Sequence, residues 1–159
     1  MPRAAADTPG TAPMEAPRLG DELLRPLPLL AVGIFALNNL ALKSAMPGLF
    51  TGKLSDVAVC FFMPLYVSAL LAVRFSSTPR WRRTALGAFL TAAVLGAINL
   101  SAAASRAHDV VLGALASLAR LTPAPNVVDP TDLWALPMTL AAVLYARHLD
   151  SNSEAHRHE

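Results

Sequence analysis

Four runs of apolar residues dominate the chain, at about residues 27–45, 57–73, 84–104 and 133–146. A membrane-crossing helix needs about 20 predominantly apolar residues, with a range of roughly 17–25. The third run meets this as it stands, and the second does with a residue or two added at each end. The fourth reaches it if its helix starts near Pro130 and runs to Leu149. The first run also has the placing of a signal peptide, with Ser44 and Ala45 near its end. Lys43 would stand where such a cleavage site needs a small residue, and Asn38 and Asn39 interrupt the run, so it is read as a retained span.

Between the third and fourth runs, Val110, Val111, Ala114, Leu115, Leu118 and Leu121 recur at spacings of three and four. That is the period of an amphipathic helix, here over 105–121, with Arg106, His108, Asp109 and Arg120 around its ends. It is short for a span and carries charge in its first turn, so it is expected to lie in the membrane interface or fold against the bundle. Residues 122–130 contain Pro123, Pro125 and Pro130 and read as a loop. The segment 1–22 is rich in Ala, Pro, Thr and Gly without a period and reads as a disordered tail. Residues 150–159 read as a loose polar tail.

Composition turns this pattern into a fold class. The 159 residues are 54% hydrophobic and 15% charged, with a mean hydropathy of +0.45. Soluble domains carry about 25% charged residues. The expectation is an all-α integral membrane four-helix bundle with an extra amphipathic helix between spans three and four. Its lipid-embedded domain covers residues 23–149. Lys and Arg then set the orientation. Arg3, Arg18, Arg25, Arg74, Arg80, Arg82, Arg83, Arg147 and Arg157 fall on one side, against Lys43, Lys53, Arg106 and Arg120 on the other. The excess places both termini in the cytoplasm, and the protein in the bacterial cytoplasmic (inner) membrane as a multi-pass protein. Basic residues this few give no nucleic-acid-binding face. The single cysteine, Cys60, lies in an apolar run and reads as a buried small residue, so no disulfide and no Cys-based metal site is expected.

In that orientation the unusual polar residues collect near the outer face. Between Leu23 and Arg147 the acids are Asp56, Asp109, Asp129 and Asp132, all on the outer side. Asn38 and Asn39 lie in the outer half of the first span, with Lys43 at its mouth, and Asn99 and Ser101 reach the same level on the third. Lys53 and Asp56 precede the second span, and Asp129 and Asp132 precede the fourth. Polar groups in lipid are costly unless they face the bundle or a wet cavity, so their convergence predicts one shared polar pocket. Other roles account for the same residues. Ser55-Asp56 and Asp129-Pro130-Thr131-Asp132 are good helix caps. The asparagines can join helices by hydrogen bonds, Lys53 can snorkel to the surface, and Pro64 and Pro137 can kink their spans.

The ligand-binding candidates are therefore Asn38, Asn39, Lys53, Asp56, Asn99, Asp129 and Asp132. They suit a lipid or cell-envelope head group, with helix N-termini and Lys53 for an anionic part and the acids for a cationic part. The alternatives are an envelope-modifying enzyme using Asp56 and Asp132 as acid and base, and a non-enzymatic membrane scaffold subunit. No nucleophile elbow, zincin, phosphate-loop or dinucleotide-binding motif is present, and no cofactor or metal is expected. His148, His156 and His158 sit in or beside the tail.

Two strings carry a resemblance. Asn38-Asn39-Leu40-Ala41-Leu42-Lys43, followed by Thr51-Gly52-Lys53-Leu54-Ser55-Asp56 and Phe61-Phe62-Met63-Pro64, resembles a family of uncharacterised bacterial multi-pass membrane proteins. Asp129-Pro130-Thr131-Asp132-Leu133-Trp134-Ala135-Leu136-Pro137 resembles the same group, and the likeness runs from about Asn38 to Tyr145. The layout is more distantly similar to the VanZ-like family, small membrane proteins associated with glycopeptide resistance. Lys53 and Asp132 match positions of that family's motifs, whereas Gly52, Asp56, Leu136 and Thr139 depart from them. The resemblance implies a multi-pass membrane fold.

Overall fold

A computed structural model describes residues 20–42, 45–46, 48–118, 120 and 127–155. Lys43, Ser44, Pro47 and Ala119 lie outside them, as do residues 1–19, 121–126 and 156–159. Every regular element among the described residues is helical: α1 (Pro26–Leu37), a π-helical turn (Asn38–Leu42), α2 (Leu49–Ala72), α3 (Arg80–Leu100), α4 (Ala102–Leu118), a 3₁₀ turn (Pro130–Ala135) and α5 (Pro137–Ala155). Two of these helices are long and apolar enough to cross a membrane, over Thr51–Ala72 and Arg80–Leu100.

The boundaries follow local chemistry. Pro26 starts α1, where a missing N–H costs nothing. The start of α3 is satisfied from another helix, because Asp150 of α5 accepts from the Trp81 N–H at 3.0 Å. Ser101 adopts an extended backbone that ends α3, and its hydroxyl accepts from Ala104 N–H to begin α4. Two expectations need correcting here. The second helix begins at Leu49, well before Val57, so Ser55 and Asp56 sit inside it and do not cap it. Pro137 is the first residue of α5 and kinks nothing, whereas Pro64 does lie inside α2.

α2 is the central element, packing against α1, α3 and α5, while α3 also packs against α5 and α4. The interior is built largely from small residues, among them Ala58, Cys60, Ala72, Ala88, Ala142 and Ala146, with Leu65 and Leu149 as larger apolar side chains among the buried ones. Close approach is sharpest where α2 and α3 cross. A Cβ placed on Gly87 would lie 2.6 Å from the Pro64 carbonyl oxygen, so only glycine fits there. Leucine, valine and phenylalanine instead cover the outside, including Leu27, Leu30, Leu70, Phe89, Val94 and Leu144. The amphipathic period appears as α4, which begins at Ala102 and leaves Val110, Val111, Leu115 and Leu118 exposed. At its far end, α5 continues through Asp150–Ala155, residues that the polar pattern assigned to the tail.

Candidate functional site

Lys53 is the hub of the polar groups at one end of the bundle. It projects from the second turn of α2, and its ammonium meets three acceptors on the 3₁₀ segment. These are Asp132 Oδ1, Asp129 Oδ2 at 3.2 Å and Thr131 Oγ1 at 2.5 Å. Asp129 shapes the segment that it belongs to. Its Oδ1 accepts from the Thr131 N–H at 2.9 Å and from the Thr131 hydroxyl at 2.7 Å, and Pro130 follows it at the first turn position. The Thr131 bonds, with help from Lys53, hold the Asp129 carboxyl down at about 2 against an ordinary value of 3.8.

Asn99 joins this network from α3. Its buried side-chain carbonyl accepts from the Asp129 N–H at 3.3 Å, and its amide donates to Leu95 O on its own helix. One cluster thus ties together α2, α3 and the turn leading into α5. Lys53, Asn99, Asp129 and Asp132, four of the predicted site residues, meet in it.

Asn38 and Asn39 form a second cluster beside the first. Asn38 is fully buried and donates to Ser55 Oγ at 2.6 Å and to the Thr51 carbonyl. Asn39 donates to Phe35 O at 2.8 Å and to Ser55 Oγ at 3.2 Å. The π-helical turn over Asn38–Leu42 presents these consecutive asparagines to one serine. The Asn38 side-chain oxygen is buried without a hydrogen-bond donor. Asp56 is half-buried on α2, three residues beyond Lys53, a spacing that puts both on one face of the helix. Lys43, expected at the mouth of the pocket, falls outside the described residues.

Sequence reasoning gave Thr131 no role of its own and read Ser55 only as a cap, although each contributes a hydroxyl to its cluster. It also missed a third cluster at the opposite end of the bundle. There the side chain of Glu22 is almost wholly buried, 3.7 Å from Arg80 Nε and 4.0 Å from Arg83 Nη2. Asp150 approaches Arg80 Nη1 at 4.0 Å, and Ser68 Oγ lies 3.5 Å from Glu22. The available signal was that Arg80, Arg82 and Arg83 have no acid near them in the sequence, so any partner had to come from elsewhere in the chain, such as the acids flanking the first and last helices. Glu22, Arg80, Arg83 and Asp150 line a recess of about 720 Å³. Among the described residues no group of His, Cys, Asp and Glu is placed to hold a metal ion. Comparison with protein-family models, with curated proteins and with solved structures returned no match.

Proposed function

We propose that this protein is a multi-pass helical bundle of the bacterial cytoplasmic membrane, with both termini inside, and that its Lys53 end binds an amine-bearing lipid or cell-envelope head group. The membrane reading is supported by the inverted distribution of side chains, small inside and large apolar outside. The 21 residues of α3 rise about 31 Å, close to the roughly 30 Å of a bilayer's hydrocarbon core. Trp81 lies at one end of the bundle and the exposed Trp134 at the other, as interfacial anchors do. The arginines collect at the Trp81 end, which orients that end toward the cytoplasm.

The observation carrying the head-group reading is the charge balance around Lys53. Asp129 and Asp132 share its ammonium, two carboxylates to one described cation. An acidic end of this kind favours a cationic or donor-rich head group over a bare phosphate. A purely structural clasp is the competing reading, favoured by the matching of all three Lys53 N–H donors.

Lys53→Ala, Asp56→Ala and Asp132→Ala separate the two readings. Glycerophosphoethanolamine, the chain-free head group, is titrated into the detergent-solubilised full chain while membrane insertion and thermal unfolding are followed. A binding site predicts that Asp132→Ala inserts and folds while its affinity falls roughly tenfold. Misfolding of all three variants would leave the acids as structural ties only.

A further inference from the structure

α1 and α5 both pack on α2 but leave a lateral opening between them. It is a groove of about 320 Å³, walled by Leu30 and Ile34 of α1 and Met138 of α5, and floored by Leu54, Val57 and Phe61 of α2. Its volume is at the lower end of the roughly 300–1,000 Å³ typical of small-molecule sites. At about 100° per residue, the Leu54–Val57–Ala58–Phe61 stripe lies between the Lys53 side of α2 and its Ser55 side. Lys53 reaches the 3₁₀ segment and Ser55 reaches Asn38. The groove therefore runs up, at Leu54, between the two polar clusters. Apolar walls that end at a charged rim have the profile of an amphiphile.

We propose that the groove seats one acyl chain of a membrane phospholipid whose ammonium lies at the Lys53–Asp132 rim. This rests on the head-group reading above and names its ligand class, a zwitterionic aminophospholipid. Charge complementarity selects the head. The rim carries two carboxylates, Asp129 and Asp132, that share one described ammonium, and on the other side of the groove the buried Asn38 oxygen has no donor. An ammonium supplies both positive charge and N–H donors, whereas the glycerol head of an anionic lipid supplies no positive charge. Length suits a chain as well. From Leu54 to Phe61 the floor extends roughly 10 Å, within the ~15 Å depth of one leaflet's hydrocarbon.

The test uses the full chain reconstituted in bilayer discs of equal phosphatidylethanolamine and phosphatidylglycerol, then released into the gas phase to count bound lipids. The intact protein should retain one phosphatidylethanolamine in preference to phosphatidylglycerol. Ile34→Trp and Met138→Trp, filling the groove from opposite walls, should each lower retention roughly tenfold. Leu30→Trp, at the exposed rim of the groove, should lower it in the same direction without disturbing packing. Asp132→Asn should abolish the preference between the two lipids. Retention unaffected by all three tryptophan variants, with Asp132→Asn still effective, overturns the groove assignment but leaves the head-group site standing. Lipid retained without preference, and insensitive to Asp132→Asn, overturns the head-group reading and the proposal with it. A change of oligomeric state with no change in lipid content would assign the groove to a second copy of the chain, and overturn the proposal.

Discussion

Asp129 is the group through which acid acts on the Lys53 end. Its carboxyl is held near 2, below its ordinary value of 3.8, first by the Thr131 hydroxyl and backbone N–H and then by Lys53. A depressed folded-state value stabilises the protein above the unfolded value. That contribution is therefore complete above about pH 5 and is lost as pH falls from about 4 toward 2. Thermal unfolding followed across that window should show the loss, and Asp129→Asn should flatten it. Because the Thr131 hydroxyl is the first cause, Thr131→Val should raise the Asp129 titration, followed by carboxyl ¹³C shifts, and Lys53→Met should raise it too. Gly87 is a second position where one atom decides the outcome. Gly87→Ala places its methyl against the Pro64 carbonyl, which lies on α2 and has little freedom to retreat. A loss of about 1–3 kcal/mol in unfolding stability is expected, as for overpacking generally. Gly96→Ala, where a methyl meets open space, serves as the control.

Helices in this bundle are tied at both ends by polar side chains. At one end Asn38 and Asn39 fasten α1 to Ser55 of α2. At the other, Glu22 brings the segment ahead of α1 onto Arg80 and Arg83 of α3. Removing a buried carboxylate from between two guanidinium groups takes the Glu22 charge from Arg83 and leaves Arg80 with Asp150 alone, so Glu22→Ala should destabilise by roughly 3 kcal/mol in thermal unfolding in detergent. Asn38→Leu removes one interhelical tie and should cost less, about 0.6–1.7 kcal/mol. These ties also mark how far the sequence could be read. Apolar runs located the helices, and counting residues along them pointed to one end of the bundle for Asn38, Lys53, Asn99 and Asp132, which the structure divides between two clusters. The start of α2 was not legible, because Thr51-Gly52-Lys53 breaks the apolar pattern that would have marked it. With that start misplaced, Ser55 looked like a cap when it is the acceptor for two asparagines. Glu22 was hidden for a different reason. Its neighbours Gly20 and Asp21 are tail-like, and its burial comes from residues almost 60 positions away.

As a whole, the molecule has an interior of mostly small side chains and an exterior of large apolar ones, with the Lys53 and Arg80 clusters at opposite ends. The proposed topology makes a labelling prediction in a Cys60→Ala background, where no other thiol is present. In intact cells, a membrane-impermeant maleimide should modify Val127→Cys but reach Ser76→Cys only after lysis. The reverse pattern would invert the bundle. One further property arises from Arg80. Glu22 and Asp150, close to the first and last described residues, both approach this one guanidinium. A force applied between handles at Gly20 and Ala155 would thus load the Arg80 contacts first and peel the two strands of chain apart there. The Lys53 network, at the far end of α3, would bear tension only after that peeling had begun. Single-molecule pulling should show a low first rupture that Glu22→Ala removes and Asp132→Ala leaves in place.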